Sequence, residues 1–107
     1  MTQLVNLLEH VPSAVDQEQF DTLVKSAHIR LERIVSNGQC SPEGFWYDQE
    51  QNEWVLVLQG SAALEFEGES KVLEMHPGDS INIPAHRKHR VVWTSDDGPT
   101  VWLAVHY

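Results

Sequence analysis

The sequence holds a single cysteine, Cys40, among 107 residues, so no intrachain disulfide can form and the chain suits a reducing, cytoplasmic compartment. Cys40 reads as a small side chain where a strand begins, not as a nucleophile. Basic residues are scarce as well: seven lysines and arginines stand against 16 aspartates and glutamates, a formal charge of −9. Nucleic-acid binding needs a basic surface to displace counterions, and the only basic cluster, Arg87-Lys88-His89-Arg90, is too short to supply one. Long apolar runs are missing; the longest, Trp54 to Leu58, falls far short of a membrane span. The first residues, Met1 to Asn6, lack the basic-then-apolar layout of a signal peptide. There is no glycine-rich phosphate loop, Cys/His zinc framework or Gly-x-Ser-x-Gly elbow. With no repeat, low-complexity tract or linker, a chain of this length reads as one domain.

Hydrophobic residues make up 41% of the chain and charged residues 21%, a balance that builds a core and excludes disorder. Up to about Lys25, Pro12-Ser13 offers a helix start and Phe20, Leu23 and Val24 recur at helical spacing, which predicts a short N-terminal helix within residues 1–28. From Ile29 the period changes to two. Ile29, Leu31, Arg33 and Val35 alternate with Arg30, Glu32, Ile34 and Ser36 until the turn pair Asn37-Gly38. Glu53 to Leu58 is the strongest strand, and Ala62 to Glu67 alternates with Ala62, Leu64 and Phe66 facing in. Further strands are read at Lys71–Met75, Ser80–Ile83, Arg90–Thr94 and Thr100–Tyr107, separated by Gly, Pro and Asp turns. Seven or so short strands at this spacing predict an all-β antiparallel sandwich or barrel over residues 29–107.

Two segments carry a more specific pattern. Glu53-x6-Gly60 resembles the end of the first cupin motif, and Gly78-x5-Pro84 with His89 beyond it resembles the second. The resemblance covers roughly residues 41–107. It implies a jelly-roll β-barrel, often with a divalent metal held by histidines and a glutamate. The sequence departs from the pattern where the first motif carries His-x-His: those positions are Tyr47 and Gln49 in one register, or Trp46 and Asp48 in the other. The internal glycine of the second motif is replaced by His86.

Imidazole plus carboxylate suits Zn, Mn or Fe, so Glu53, His89 and His86 form the candidate metal set, with an oxygen from Asp48 or Gln49. Strand parity puts Glu53, Val55 and Val57 on one face and His89, Val91 and Trp93 on another. If both face inward, the valines and the indole line an apolar ligand pocket around a few polar groups. Tyr47, Asp48 and His86 are the candidates for proton transfer. His106 shares a face with Trp102 and Ala104 and reads as a core or interface histidine, while His10, His28 and His76 have no partners at useful spacing. Two functions follow from these residues: a metal-binding cupin acting on or binding a small organic molecule, or a metal-free cupin that only binds its ligand. Trp54, Leu56 and Leu58 point away from the Glu53 face, so either the N-terminal segment or a second subunit should cover them; a homodimer is expected.

Overall fold

The computed structural model describes residues 3–107. Eight strands follow in order: β1 (Gln19–Lys25), β2 (Arg30–Ser36), β3 (Glu53–Gln59), β4 (Ala62–Phe66), β5 (Leu73–Met75), β6 (Ser80–Ile83), β7 (His89–Thr94) and β8 (Thr100–His106). They form a five-stranded sheet, β1-β2-β8-β3-β6, and a three-stranded sheet, β5-β4-β7, and every pairing is antiparallel. Alternating side chains from the two inner faces meet in one core of Val55, Val57, Ala62, Leu64, Phe66, Met75, Ile83, Trp102 and Ala104. This is the expected antiparallel jelly roll. Among the described residues no helix is long and apolar enough to cross a membrane.

Among the described residues the expected N-terminal helix is absent, and β1 occupies its place. Phe20, Leu23 and Val24 fit a helical stripe, but they fit a bulged strand equally well. The register of β1 against β2 shifts between Thr22 and Val24, which leaves Leu23 as the extra residue. A helix this short would have to bear its own nucleation cost, whereas β2 supplies a ready partner from Gln19↔Val35 to Lys25↔Arg30. The preceding segment is tied to the same region: Arg33 donates to the carbonyls of Leu7 and Glu9, Asn37 to that of Ser13 and Gln39 to that of Val15.

A second bulge matters for the site. Ala63 pairs with Trp93, but Leu64 pairs with Val91, so Val92 is an extra residue in β7. Alternation along β7 therefore reverses at Val92. His89 faces in at one end of the strand and Thr94 is buried at the other. In β3 the parity runs unbroken from Glu53 to Val57, with Glu53, Val55 and Val57 buried and Trp54 and Leu56 half-buried, before the register against β8 shifts at the half-buried Leu58.

Candidate functional site

The inward faces enclose a cavity of about 300 Å³. Its apolar walls are Val55, Leu64, Ile83, Val91, Ile34 and Trp102, with Phe20 of β1 alongside. Its polar side is built from Glu53 of β3, His89 of β7, His106 of β8, Arg30 and Glu32 of β2, and Tyr47 and Gln49 from the β2–β3 loop. Glu18, just before β1, lines it as well and accepts from Ser36 Oγ at 2.5 Å, which in turn accepts from Trp102 Nε1 at 3.2 Å.

Register fixes the polar cluster. His106 lies opposite Arg30 on one side and opposite Glu53 on the other. Its Nε2 is 2.9 Å from Glu32 Oε1 and 4.0 Å from Glu53 Oε2. His89 Nε2 is 3.7 Å from Glu53 Oε1, and Arg30 Nε is 3.7 Å from Glu32 Oε2. Nitrogen bases and carboxylates thus alternate from Arg30 through Glu32, His106 and Glu53 to His89. Glu32, Glu53, His89 and His106 are all buried, and a buried carboxylate persists only with such partners.

The outer contacts set the tautomers. His89 Nδ1 is 2.8 Å from the Arg87 carbonyl. A carbonyl only accepts, so Nδ1 carries the hydrogen and Nε2, facing Glu53, is the nitrogen that gains or loses a proton. His106 Nε2 faces the Glu32 carboxylate and carries its hydrogen there. Burial pushes the Glu53 carboxyl up, but contact with His89, the amide of Gln49 at 3.0 Å and the neighbouring imidazoles outweigh it and hold it below the ordinary 4.5. Tyr47 moves the other way: burial first, then the carboxylates of Glu18 and Glu53, push its phenol above 10.0. Tyr47 exchanges backbone hydrogen bonds with His89, and its ring stacks on that imidazole at 5.5 Å.

Of the residues singled out in the sequence, the structure brings together Glu53, His89, Gln49, Tyr47, Val55 and Val91 around the cavity. Val57 is fully buried deeper in the core and does not line it. Trp93 does not line it either, because the Val92 bulge reverses its parity; the indole in the wall is Trp102. His86 and Asp48 are exposed and pair with each other, Nδ1 to Oδ1 at 2.8 Å, outside the cavity lining. His86 keeps the left-handed backbone that its family position reserves for glycine, with φ 63°. That turn faces it outward to Asp48 rather than inward to Glu53. Sequence reasoning missed Arg30, Glu32 and Glu18, and it read His106 as a packing residue.

The metal implied by the cupin resemblance fits this donor set poorly. A first-row ion needs three or four converging lone pairs. His89 Nε2 and Glu53 supply two donors. Gln49 turns its amide nitrogen to Glu53, and His106 Nε2 is engaged by Glu32. His86 and Asp48 are elsewhere, and among the described residues no group of three or more His, Cys, Asp or Glu side chains is arranged to hold a metal.

Comparison with known proteins agrees with the motif reading. The family described as "Cupin domain" matches residues 34–106. The chain is similar to a provisionally named mannose-6-phosphate isomerase of Ralstonia eutropha JMP134, with 50% identity and a TM-score of 0.96 over 98% of this chain and 97% of that one. In fold alone it is similar to a cupin superfamily protein of Desulfitobacterium hafniense DCB-2, with 18% identity and a TM-score of 0.73 over 98% and 97% of the two chains. The polyketide cyclase RemF of Streptomyces resistomycificus shares 20% identity and a TM-score of 0.75 over 99% of this chain and 79% of that one. Among curated proteins nothing matches. With its motifs, jelly-roll topology and most of its length accounted for in this way, the chain belongs to the cupin family.

Proposed function

We propose that this cupin binds a small organic molecule in its cavity and moves a proton on it, with His89 as the base and Glu53 as the carboxylate that stabilises the resulting imidazolium. The observation that carries the reading is the Glu53–His89 pair, 3.7 Å apart and buried where the polar side of the cavity meets its apolar walls. The Arg87 carbonyl fixes the ring so that Nε2 is the reactive nitrogen. Glu53, held ionised, offsets the positive charge that forms on the ring. Tyr47, whose phenol keeps its proton at neutral pH, is the hydroxyl donor stacked beside the base. The isomerase name of the 50% identical relative supports a proton-transfer reaction.

The test is deuterium wash-in. The protein is incubated in D2O with small α-hydroxy and α-amino carbonyl compounds, and exchange at the carbon beside the carbonyl is followed by proton NMR. Exchange with at least one compound, abolished by His89→Ala and reduced by Glu53→Gln, is the expected result. No exchange with any of them, with or without added Zn, Mn or Fe, would leave ligand binding without catalysis. Elemental analysis of untagged protein accompanies it. A stoichiometric metal, lost in His89→Ala, would replace the metal-free reading with a metal-assisted one in which Glu53 and His89 are ligands.

A further inference from the structure

We infer that the cavity takes a ligand with a single carboxylate, held by Arg30; this rests on the cavity being the binding site proposed above. Among the described residues Arg30 is the one arginine in the lining, and it differs from the chain's other three in what its donors meet. Arg33 donates to Asp21 and to the carbonyls of Leu7 and Glu9, Arg87 to Glu69 and to the Glu67 carbonyl, and Arg90 to the Ser41 carbonyl. The Arg30 side chain donates to no described residue. Its Nε is buried without a hydrogen-bond partner. The carboxylate beside it, Glu32, stands off at 3.7 Å and engages His106 through Oε1 at 2.9 Å instead.

A guanidinium offers donors only, so one left unmatched at a cavity calls for an acceptor from whatever fills it. The side chain is 40% exposed, which leaves part of the fork open to an incoming group. A carboxylate fits that fork, since its coplanar oxygens take parallel N–H donors and its charge matches the cation. Glu18, Glu32 and Glu53 share the lining, so Arg30 offsets one negative charge on a ligand and no second one. A phosphate monoester, with about two charges at neutral pH, is the poorer match. Arg30 and Glu53 both lie opposite His106, on the strands that flank β8, and strand spacing puts their backbones about 10 Å apart. An acid held at Arg30 therefore lays its carbon chain along the apolar walls toward the Glu53–His89 pair.

The probes are 4-methyl-2-oxopentanoate, its neutral methyl ester and isopentyl phosphate, which share a branched apolar chain and differ in charge. Calorimetric titration should give binding of the acid at least about tenfold tighter than the ester or the phosphate. Arg30→Met should abolish the preference over the ester, whereas Lys71→Met, an equal charge change at an exposed position, should leave it intact. Arg30→Lys keeps a cation beside Glu32, so it folds even if Arg30→Met does not; losing the fork should still weaken the acid at least about threefold. Equal or tighter binding of the ester or the phosphate, or no measurable binding of the acid, overturns the inference. Acid affinity unchanged in Arg30→Met or Arg30→Lys overturns it too, because Arg30 would then only balance Glu32. So does an equal loss in Lys71→Met, which would mean that the acid reads net charge. Arg30-dependent acid binding in a protein that exchanges no deuterium leaves this inference standing and removes the proton-transfer reading. Exchange on neutral carbonyl compounds, with the acid no tighter than its ester, does the reverse.

Discussion

Replacing His106 by leucine should destabilise the protein more than replacing His106 and Glu32 together. His106 Nε2 and Glu32 Oε1 are 2.9 Å apart, and both residues are buried. Removing the imidazole strands a buried carboxylate, which typically costs about 3–5 kcal/mol. The lower end applies, because Arg30 Nε remains 3.7 Å from Glu32 and its side chain, 40% exposed, can adjust. About 3 kcal/mol is therefore expected, a large share of the roughly 5–15 kcal/mol that holds a domain together. In Glu32→Leu/His106→Leu no carboxylate is stranded, two apolar groups of similar size meet, and Arg30 can turn to water. Exchanging a buried pair for apolar residues is commonly neutral or stabilising, so the double variant should recover about 2 kcal/mol or more. Urea unfolding followed by tryptophan fluorescence measures both, and the single variant should unfold about 1–2 M earlier than the double. If the single variant is as stable as the double, the carboxylate is not dependent on His106, and the alternating chain of charges is not what holds the polar cluster together.

Other outcomes follow from particular contacts. Gly60→Ala should cost roughly 3 kcal/mol or more, since φ is +84° and the new Cβ would meet Thr100 Cα at 2.7 Å, while Gly68→Ala, with φ +86° and nothing near, should cost only about 1–2 kcal/mol; paired urea midpoints compare them. The depressed carboxyl of Glu53 contributes stability that is present above the ordinary 4.5 and is lost as pH falls through its lower folded value. Glu53→Gln should therefore flatten the loss of stability below about pH 4.5, measured as melting temperature against pH. On the outer face, Trp54, Leu56 and Leu58 are half-buried, and the N-terminal segment makes its hydrogen bonds at Arg33, Asn37 and Gln39 instead. Light scattering at micromolar concentration should show a dimer that Leu56→Glu converts to monomer.

Most of the fold was legible because a half-buried strand writes its parity into the sequence. Ser80–Ile83 was bounded correctly from its turns alone, and Glu53 to Leu58, one residue short of the observed end at Gln59, from a continuous apolar run stopped at Gly60. β1 was not legible: three apolar residues spanning a bulge carry the same spacing as one turn of helix, and only the partner strand decides between them. Trp93 failed for a related reason. Counting by twos from His89 is sound until a residue is inserted, and Val92 leaves no local mark, since the bulge is defined by what lies across from it on β4.

The candidate site divides along the same line. Glu53 and His89 stood at positions that a motif marks, so they could be found singly. Arg30 and Glu32 stood on a strand whose alternation of charged and apolar residues reads equally well with either face outward, and nothing nearby says that β2 lies beside β8. Glu32 and His106 are 74 residues apart in sequence and 2.9 Å apart in space. One signal was nevertheless present. His106 shares its strand face with Trp102 and Ala104, and an apolar face is an inward face, so a histidine there has to find a partner among buried groups. β8 lies between β2 and β3, and the acidic residues those two strands carry are Glu32 and Glu53. A buried histidine at the end of an apolar strand thus asks for a carboxylate elsewhere in the chain, and following that demand from His106 leads to Glu32 and, through the neighbouring strand, to Glu53.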